Sequence, residues 1–353
     1  MQKPDCAWSL KDLDTVPKNG IKVMSTFACG GGSSMGYKRA GCEVIAANDI
    51  DPEMAWHYKL NIKPKHYFLC PIGDLLTADL PDELFNLDIL DGSPPCSTFS
   101  MAGSREKSWG KDKHFREGQA KQVLSDLFFD YLDLVARLKP KVAIAENVKG
   151  MIIGNAKGYT KLIMQRFREI GYKPQLFLVN AADCGVPQKR ERVFFCALRN
   201  DIDRPPLQLA PQHRWISAGE ATQDLQELTV DEEQDTKPRP LDLLWWHKTK
   251  PGDGSGYATA RMADEGKRIT FTHIRLSASA PANSLPATDN IKHWRECRGL
   301  SFREWKRLGS FPDDYHAKTD KIGKYMIGMS VPPRMTEQVA RAVIDQWLMP
   351  YHA

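Results

Sequence analysis

The chain has 353 residues, of which 42% are hydrophobic and 26% charged, and 49 Lys and Arg against 44 Asp and Glu give a net charge of +5. These proportions are those of a globular protein with a packed core, and they exclude collagen-like, coiled-coil and wholly disordered classes. At about 150 residues per domain, the length predicts two domains or one large domain with an insertion. No apolar run reaches the ~18 residues that a membrane helix needs, and the start, MQKPDCAWSLKDLD, lacks the apolar stretch of a secretory signal.

The eight cysteines are scattered along the chain and form no C-x-x-C pair. This pattern is typical of reduced cytosolic thiols rather than of a disulfide framework or a zinc site. We therefore expect a cytoplasmic protein with no metal centre and no association with a membrane.

Short apolar runs alternate with helical patterns over the first 200 residues. The apolar residues of 123–138 repeat at intervals of three and four, which predicts a helix, and Lys161–Ile170 has a similar pattern. This alternation predicts βαβ units, and hence an α/β fold with a doubly wound, mostly parallel sheet covered on both faces. The predicted strands are Ile21–Phe27, Glu43–Ala47, Leu87–Leu90, Lys141–Ala145, Gln175–Val179 and Arg192–Leu198.

The regular pattern is lost after about Leu198, and the charges segregate. Asp201–Asp235 has nine acids and two bases, net −7, whereas Lys237–Arg307 has fourteen bases and seven acids, net +7, together with several aromatic residues. The basic stretch is either the solvated face of an irregular second domain or a surface that binds phosphates and stacks on bases. A helical pattern returns at Phe302–Leu308, and Pro333–Leu348 predicts a last helix that packs on a core. The predicted domains are residues 1–199, a smaller irregular domain at 200–313, and a segment at 314–353 that returns to the first domain.

A glycine-rich turn, Phe27–Gly36, follows the first predicted strand and opens a helix. Glycines let the backbone approach a ligand closely, and the N-terminus of a helix offers free N–H groups. Asp49 ends the second strand about 20 residues later, where a carboxylate accepts hydrogen bonds from both ribose hydroxyls. The pattern predicts a nucleotide or nucleoside site, and NAD enzymes and S-adenosylmethionine enzymes share it.

Cys96 follows two prolines just beyond the carboxyl end of a predicted strand, where open α/β sheets bind ligands. Because the prolines stiffen this segment, we interpret Cys96 as a nucleophilic thiol rather than a buried structural cysteine. Glu146 ends the next strand, so it should converge on the same edge and transfer a proton to the group under attack. Taken alone, Glu146 is equally compatible with an ion pair or a helix cap.

The charged segment Gln188–Arg192 leads into the last predicted strand. Strand alternation predicts that Arg190 and Arg192 share one face. They are either solvated residues at a strand entrance or paired guanidiniums that bind an anion or a base carbonyl.

These blocks, in this order, resemble the cytosine-C5 methyltransferases. The family pattern Phe-x-Gly-x-Gly-Gly, Pro-Cys, Glu-Asn-Val and Gln-x-Arg-x-Arg corresponds to Phe27–Gly32, Pro95-Cys96, Glu146–Val148 and Gln188–Arg192. Two later segments, Arg298–Pro312 and Tyr325–Pro333, look like the family's closing motifs. The resemblance spans about residues 21–345 and implies a Rossmann-like methyltransferase fold with a target-recognition domain between Arg192 and Arg298.

The resemblance also implies S-adenosylmethionine as the cofactor and double-stranded DNA as the substrate. Cys96 would be the nucleophile, Glu146 would grip the cytosine, and Arg192 would support the flipped base with Arg190 beside it. The resemblance further implies that Asp49 binds the ribose and that Asp74 binds the adenine amino group. The full set of implied cofactor residues is Phe27, Cys29, Gly30, Gly31, Gly32, Asp49, Ile50, Asp74, Leu75, Pro95, Leu127, Met329, Ser330 and Val331. The expected DNA contacts are Ser97, Ser100, Arg105, Lys107 and Arg298.

Three residues depart from the family pattern. Cys29 stands at the first glycine, Ser97 replaces the glutamine after the catalytic cysteine, and Met329 replaces an asparagine. None of these changes removes the thiol, the acid or the arginines, so we expect an active enzyme. We also expect a monomer from a bacterium or phage. A restriction endonuclease in the same system is the expected functional partner, without a stable complex.

Other interpretations of the same residues exist. The tRNA-methylating branch of the family shares Cys96 and Glu146, although its pattern has glutamine where this chain has Ser97. An inactive DNA-binding regulator would not need an intact Cys96, Glu146 and Arg192. A nicotinamide dehydrogenase fits the glycine turn and Asp49 but leaves the Pro-Cys and arginine segments unexplained.

Overall fold

The computed structural model describes residues 3–95, 112–113, 122–123, 127–154, 156–266 and 273–349. The chain divides into two compact units that are both discontinuous in sequence. One unit, which we call the recognition unit after the predicted target-recognition domain, comprises Met1–Asp14, Asn180–Arg190 and Gln212–Met335, and the other, the sheet unit, comprises Thr15–Val179, Glu191–Pro211 and Thr336–Ala353. The domain boundaries after residues 199 and 313 stay predictions. Across the described ranges, no helix combines the length and the apolar character that crossing a membrane requires.

The sheet unit is built on seven strands. Their bounds are β1 Lys22–Thr26, β2 Glu43–Asp49, β3 His66–Leu69, β4 Ile89–Gly92, β7 Val142–Val148, β8 Tyr172–Asn180 and β9 Glu191–Arg199, while β5 and β6 are the short antiparallel pair Asp112–Lys113 and Gln122–Val123. The strand order is β3-β2-β1-β4-β7-β9-β8. The β1–β2, β2–β3, β1–β4 and β4–β7 pairs are parallel and β7–β9 is antiparallel. This arrangement confirms the Rossmann-like, mostly parallel sheet, and its chain order reverses between β1 and β4, where such sheets bind ligands.

Four helices follow the strands of this unit, namely α2 Gly32–Arg39, α3 Pro52–Ile62, α4 Leu127–Leu138 and α5 Ala156–Glu169. Of the predicted helix over 123–138, the structure describes Leu127–Leu138 as helix and assigns Val123 to β6, while residues 124–126 lie outside the described residues. Leu127, Phe128, Tyr131, Leu134, Val135 and Leu138 are buried in the core beside the sheet, as the three-and-four repeat predicts. Asp51 caps the start of α3, because its carboxylate accepts hydrogen bonds from the backbone N–H groups of Glu53 and Met54.

The carboxyl end of β4 packs tightly against α4. The hydroxyl of Tyr131 lies 2.9 Å from the carbonyl oxygens of both Leu90 and Ile144, one in β4 and one in β7. A Cβ atom at Gly92 would lie 2.7 Å from the Tyr131 ring and from Oγ1 of Thr26, so only glycine fits there. This packing fixes the point at which the chain leaves the sheet toward Pro94 and Pro95.

The recognition unit consists of short helices and little sheet, as the irregular sequence pattern predicts. Its helices are α1 Asp12–Thr15 at its boundary, α6 Ala218–Ala221, α7 Val230–Asp235, α8 Pro240–Trp245, α9 Tyr257–Glu265, α10 Phe302–Leu308 and α11 Asp320–Met329, and its strands are the parallel pair β10 Ile274–Arg275 and β11 Ile291–Lys292. Trp245, Trp246 and Tyr257 form a small buried apolar cluster within this unit.

Helix α12, Pro333–Val343, begins in the recognition unit and ends in the sheet unit, followed by a π-helical turn at Ile344–Leu348. Within the sheet unit, Glu337 forms a 2.6 Å ion pair with Arg39 at the end of α2. The indole Nε1 of Trp347 donates a hydrogen bond to the carbonyl of Pro205. Residues near 340 are therefore part of the same structure as β1 and α2.

Candidate active site

The turn between β1 and α2 adopts an unusual backbone conformation. Phe27 has φ 53°, Cys29 has φ 45° and Gly31 has φ 83°, all in the left-handed region that favours glycine. Cys29 therefore occupies a conformation that would suit the glycine usual in the family at this position. A Cβ atom at Gly31 would lie 2.7 Å from Cγ1 of Ile62, so this position requires glycine for space as well as for backbone conformation.

Asp49 is held directly beside this turn. The backbone N–H of Cys29 donates to Oδ2 of Asp49 at 2.7 Å, and the backbone N–H of Asp51 donates to Oδ1 at 2.9 Å. Burial raises the pKa of Asp49, and these backbone hydrogen bonds oppose the rise. The carboxylate is thus fixed at the carboxyl end of β2, and the structure brings together Asp49 and the predicted turn residues.

The residues of this turn suit S-adenosylmethionine chemically. Gly31 is the cap residue before α2 and has no side chain, so no side-chain cap occupies the first N–H groups of this helix. Phe27 and Ile50 are half-buried, which leaves apolar surface beside the carboxylate of Asp49. A carboxylate for ribose hydroxyls and apolar surface for an adenine ring are the groups that such a cofactor requires.

Three further predicted cofactor residues occupy different environments. Asp74 is exposed on a 3₁₀ turn, Ile72–Leu76. Leu75 and Leu127 are buried in the apolar core, and the carbonyl of Leu75 accepts a hydrogen bond from Arg137. Their contacts with a cofactor stay predictions.

The predicted nucleophile Cys96 lies outside the described residues, as do Ser97, Ser100, Arg105 and Lys107. Pro95 is the last described residue before them, and the amide Nδ2 of Asn147 donates a buried hydrogen bond of 3.0 Å to the carbonyl of Pro94. Asn147 belongs to β7 and follows Glu146 directly. The segment that leads to Cys96 is therefore tied to the strand that carries Glu146.

Glu146 and Arg192 form an ion pair at the carboxyl end of β7. Nε of Arg192 lies 2.9 Å from Oε1 of Glu146, and the Glu146 residue is 8% exposed. The antiparallel register of β7 and β9 places Val148 opposite Arg192, two residues from Glu146. Burial lowers the pKa of Arg192, while the charge of Glu146 opposes this change. A carboxylate and a guanidinium are thus oriented together, one residue along β7 from the Asn147 that binds the Pro94 carbonyl.

Arg190 has a different environment. Strand β9 begins at Glu191, so the alternation predicted for Arg190 and Arg192 does not extend to Arg190. The guanidinium of Arg190 is buried and donates to the carbonyls of Leu285, Gly328 and Ser330 at 3.0, 2.9 and 3.2 Å. It therefore joins separate segments of the recognition unit through their backbone.

Other predicted site residues also belong to the recognition unit. Arg298 is 7% exposed and forms a double hydrogen bond with Glu304 at 2.8 and 2.9 Å, which occupies the side chain predicted to contact DNA. Met329 is 49% exposed at the end of α11, Val331 is buried, and the buried Oγ of Ser330 has no hydrogen-bond partner within the part of the chain that the structure describes. Among the described residues, no three His, Cys, Asp or Glu side chains are grouped as metal ligands.

Sequence reasoning missed one buried carboxyl group close to this site. Asp91 in β4 is 2% exposed and accepts hydrogen bonds from Oγ of Ser25 at 2.9 Å and from the hydroxyl of Tyr37 at 3.0 Å. Burial and the charge of Glu146 raise the pKa of Asp91 to about 7, although the two hydroxyls oppose the rise. The signal in the sequence was an acid inside an otherwise apolar strand.

Comparisons with known proteins match this arrangement. The Type II methyltransferase M.FnuDI of Fusobacterium nucleatum is 35% identical over 346 residues, which cover 92% of this chain and 94% of that protein. M.NgoPII of Neisseria gonorrhoeae, also a Type II methyltransferase, is 28% identical over 342 residues, covering 92% and 96%. The crystal structure of a Spodoptera frugiperda DNMT2 mutant has the same fold, with a TM-score of 0.64 at 17% identity and coverage of 92% of this chain and 100% of that one. The pattern of the C-5 cytosine-specific DNA methylase family matches residues 21–345, and the chain therefore belongs to this family.

Proposed function

We propose that this protein transfers a methyl group from S-adenosylmethionine to C5 of a cytosine that is flipped out of duplex DNA, through a covalent adduct with Cys96. The observation that carries the proposal is the joint position of Glu146, Arg192 and Asn147. The first two form a buried ion pair, and the third binds the carbonyl of Pro94, two residues before the proposed nucleophile. Type II methyltransferases of similar length, matched over nearly all of this chain, support duplex DNA as the substrate.

The chemistry explains why a thiol and an acid are needed together. C5 of cytosine is a weak nucleophile, so the thiolate of Cys96 first forms a bond to C6. Electron density then moves into the ring, and Glu146 stabilises it by protonating or hydrogen-bonding N3. Arg192 orients the carboxyl group of Glu146 through the 2.9 Å contact and supports the flipped base. After C5 has taken the methyl group, loss of the C5 proton to a base restores the double bond and releases the Cys96 thiolate.

The cofactor supplies an electrophilic methyl group on a sulfonium. In our proposal, the turn Phe27–Gly32 and α2 bind its polar groups, and Asp49 accepts hydrogen bonds from its ribose. Ile50 would contact the adenine and Asp74 its amino group. Because Arg190 is held by backbone carbonyls, we assign it a positioning role in the recognition unit rather than contact with the base.

The proposal includes a restriction-modification context. The relatives reported above are named Type II methyltransferases. We therefore infer that this enzyme methylates the DNA sequence that a separate endonuclease recognises, and that it acts as a monomer. Sequencing of bisulfite-treated host DNA after expression would identify the methylated sequence.

Covalent trapping tests the mechanism directly. Duplex DNA with 5-fluorocytosine at the target position accepts the thiolate and the methyl group, but fluorine replaces the proton that must leave, so the adduct accumulates. We expect a denaturation-resistant protein–DNA complex that requires S-adenosylmethionine, with a cross-linked peptide containing Cys96. Cys196 of β9, which is fully buried, provides the matched control, because Cys196→Ser should still form the complex and Cys96→Ser should not.

Further variants and substrates separate the alternatives. Glu146→Gln should form the adduct much more slowly, since N3 is no longer assisted. Methyl transfer to tRNA alone, or equal transfer to tRNA and duplex DNA, would contradict the proposal that duplex DNA is the specific substrate. If wild-type protein that binds both DNA and cofactor formed no adduct, the cytosine-C5 mechanism would be wrong for this chain.

A further inference from the structure

Helix α8 presents two adjacent leucines to solvent. Leu243 and Leu244 are 60% and 61% exposed, whereas Asp242 and Trp245 of the same helix are buried. A single exposed leucine is ordinary on a protein surface. Two neighbours on one short helix, both more than half exposed, leave apolar area unburied in the isolated chain, and this area is available for contact with a partner.

The helix beneath these leucines is rigidly anchored. Asp242 is fully buried and lies 3.0 Å from Nζ of Lys292, which is itself buried. The same carboxylate accepts hydrogen bonds from the hydroxyl of Tyr257 at 3.1 Å and from the backbone N–H of Arg239 at 3.0 Å. Asp242 thus fixes the start of α8 to both α9 and β11.

The end of α8 is equally constrained. Nε1 of Trp246 donates to the carbonyl of His293 at 3.1 Å, and the guanidinium of Arg275 lies 3.6 Å from the centre of the Trp246 ring. Arg275 also donates to the carbonyl of Trp294 at 2.7 Å. Because both ends are held, the two leucines are presented in a fixed orientation, which lowers the entropy cost of binding a partner.

The segment that carries the leucines is rich in exposed positive charge. Asp242 is the only acid between Lys237 and Lys250 in the sequence, and its charge is neutralised internally by Lys292. The exposed side chains of this segment include four cations and one histidine, namely Lys237, Arg239, His247, Lys248 and Lys250.

Part of this positive charge is compensated by neighbouring acids. Lys248 forms an ion pair with Asp264 of α9, and Arg239 lies 3.8 Å from Asp289. Both pairs are solvent-exposed on the side of the cation, so an external phosphate could exchange with the carboxylate at little cost. An exposed apolar pair on a segment flanked by cations matches the bases and phosphates of a nucleic acid better than it matches an apolar protein groove.

We propose that Leu243 and Leu244 contact the bases of the target duplex and contribute to the choice of DNA sequence, while the cations of residues 237–250 contact its phosphates. This inference rests on the proposed function and deepens it by assigning a recognition element. Apolar side chains contact thymine methyl groups or separate stacked base pairs, and these contacts depend on sequence. Lysine and arginine contacts with phosphates position the duplex without reading it.

The experiment compares three variants with wild type. Leu243→Ser combined with Leu244→Ser removes the apolar pair, and Lys250→Ala removes a cation. Leu162→Ser is the matched control, because Leu162 is a 54% exposed leucine on α5 of the sheet unit. Each protein is tested for methylation of a duplex library read by bisulfite sequencing, for DNA affinity at several salt concentrations, and for S-adenosylmethionine affinity and urea unfolding.

We expect the double leucine variant to methylate the wild-type sequence at least tenfold more slowly and to spread methylation over more sequences. The salt dependence of its DNA affinity should stay unchanged, because no phosphate contact is lost. Lys250→Ala should weaken binding to all sequences alike and flatten the slope of log K against log salt by about one unit. Cofactor affinity and unfolding should match wild type in every variant.

Two results would overturn the inference. If wild type methylates DNA and the double leucine variant has the same rate and sequence preference as Leu162→Ser, then α8 does not read DNA. A protein partner would then be the remaining occupant of this surface. If wild type transfers no methyl group to duplex DNA, the proposed function fails first and the recognition role falls with it.

Discussion

The buried carboxyl group of Asp91 should make the stability of the protein depend on pH. Its pKa rises from 3.8 to about 7 because burial penalises the charged form. The folded state therefore binds a proton that the unfolded state releases near pH 4. The resulting stabilisation is fully present below the unfolded pKa and is lost as the pH rises through about 7.

The magnitude follows from the size of this pKa change. One pH unit corresponds to about 1.4 kcal/mol for a single proton, so ionising Asp91 in the folded protein costs ~4 kcal/mol in total. Because the unfolded chain is already deprotonated at pH 5, roughly 3 kcal/mol of this change falls between pH 5 and pH 8.5. The loss should be steepest between pH 5 and 6.5 and should level off above pH 8.

Urea unfolding of wild type and Asp91→Asn across this pH range measures the effect. Asparagine has almost the same shape but does not ionise, so the difference between the two unfolding free energies isolates the proton of Asp91. We expect that wild type loses roughly 3 kcal/mol relative to the variant from pH 5 to 8.5. Any constant offset between the proteins reports the changed hydrogen bonds with Ser25 and Tyr37 instead.

A second variant tests the cause of the shift. The hydroxyl of Tyr37 stabilises the charged form of Asp91. Tyr37→Phe should therefore move the pH-dependent loss to higher pH. Parallel pH profiles for wild type and Asp91→Asn would show that Asp91 does not hold a proton in the folded protein, and the reasoning from burial would be refuted.

Three further predictions concern the turn, the cofactor site and the recognition unit. Gly31→Ala should destabilise the protein by about 2 kcal/mol in urea unfolding, because both space and backbone conformation oppose a side chain. The control Gly158→Ala in α5 should be neutral or stabilising by up to about 1 kcal/mol. Equal effects of the two substitutions on stability would contradict the turn geometry. Asp49→Ala should weaken S-adenosylmethionine binding by about 1.5–3 kcal/mol in calorimetry, and unchanged affinity would mean that the pocket is misassigned. Arg298→Ala should cost about 3–5 kcal/mol of stability by removing the guanidinium that pairs with the buried carboxylate of Glu304, and a stable variant with weakened DNA binding would instead support the DNA contact predicted for Arg298.

The sequence predicted the sheet well because buried parallel strands are continuous apolar runs with clear ends. Six of the seven strands were predicted within a few residues of their observed bounds. Strand β3, His66–Leu69, was missed because it is short and its residues are half-buried or exposed at the edge of the sheet. Strand β7 continues to Val148, so Glu146 lies inside it rather than beyond its end.

The burial and the hydrogen-bond partners of the site residues were harder to predict than the strand or turn on which each residue lies. Asp91 finds its partners Ser25 and Tyr37 at sequence separations of 66 and 54 residues, and no local pattern encodes such contacts. Arg190 likewise binds carbonyls 95 and 138 residues away, so its buried state depends on how distant segments pack. The motif gives the residue type at a position, whereas burial and partners follow only from the fold.

The interleaving of the two units has a consequence for synthesis of the protein. The sheet unit combines Thr15–Val179 with residues after Thr336, and the ion pair of Arg39 with Glu337 joins these distant parts. A ribosome must therefore translate the whole recognition unit before the sheet unit has all of its chain. Until α12 emerges, the surface of α2 that binds Glu337 stays open, and we expect incomplete chains to be more prone to aggregation than the finished protein.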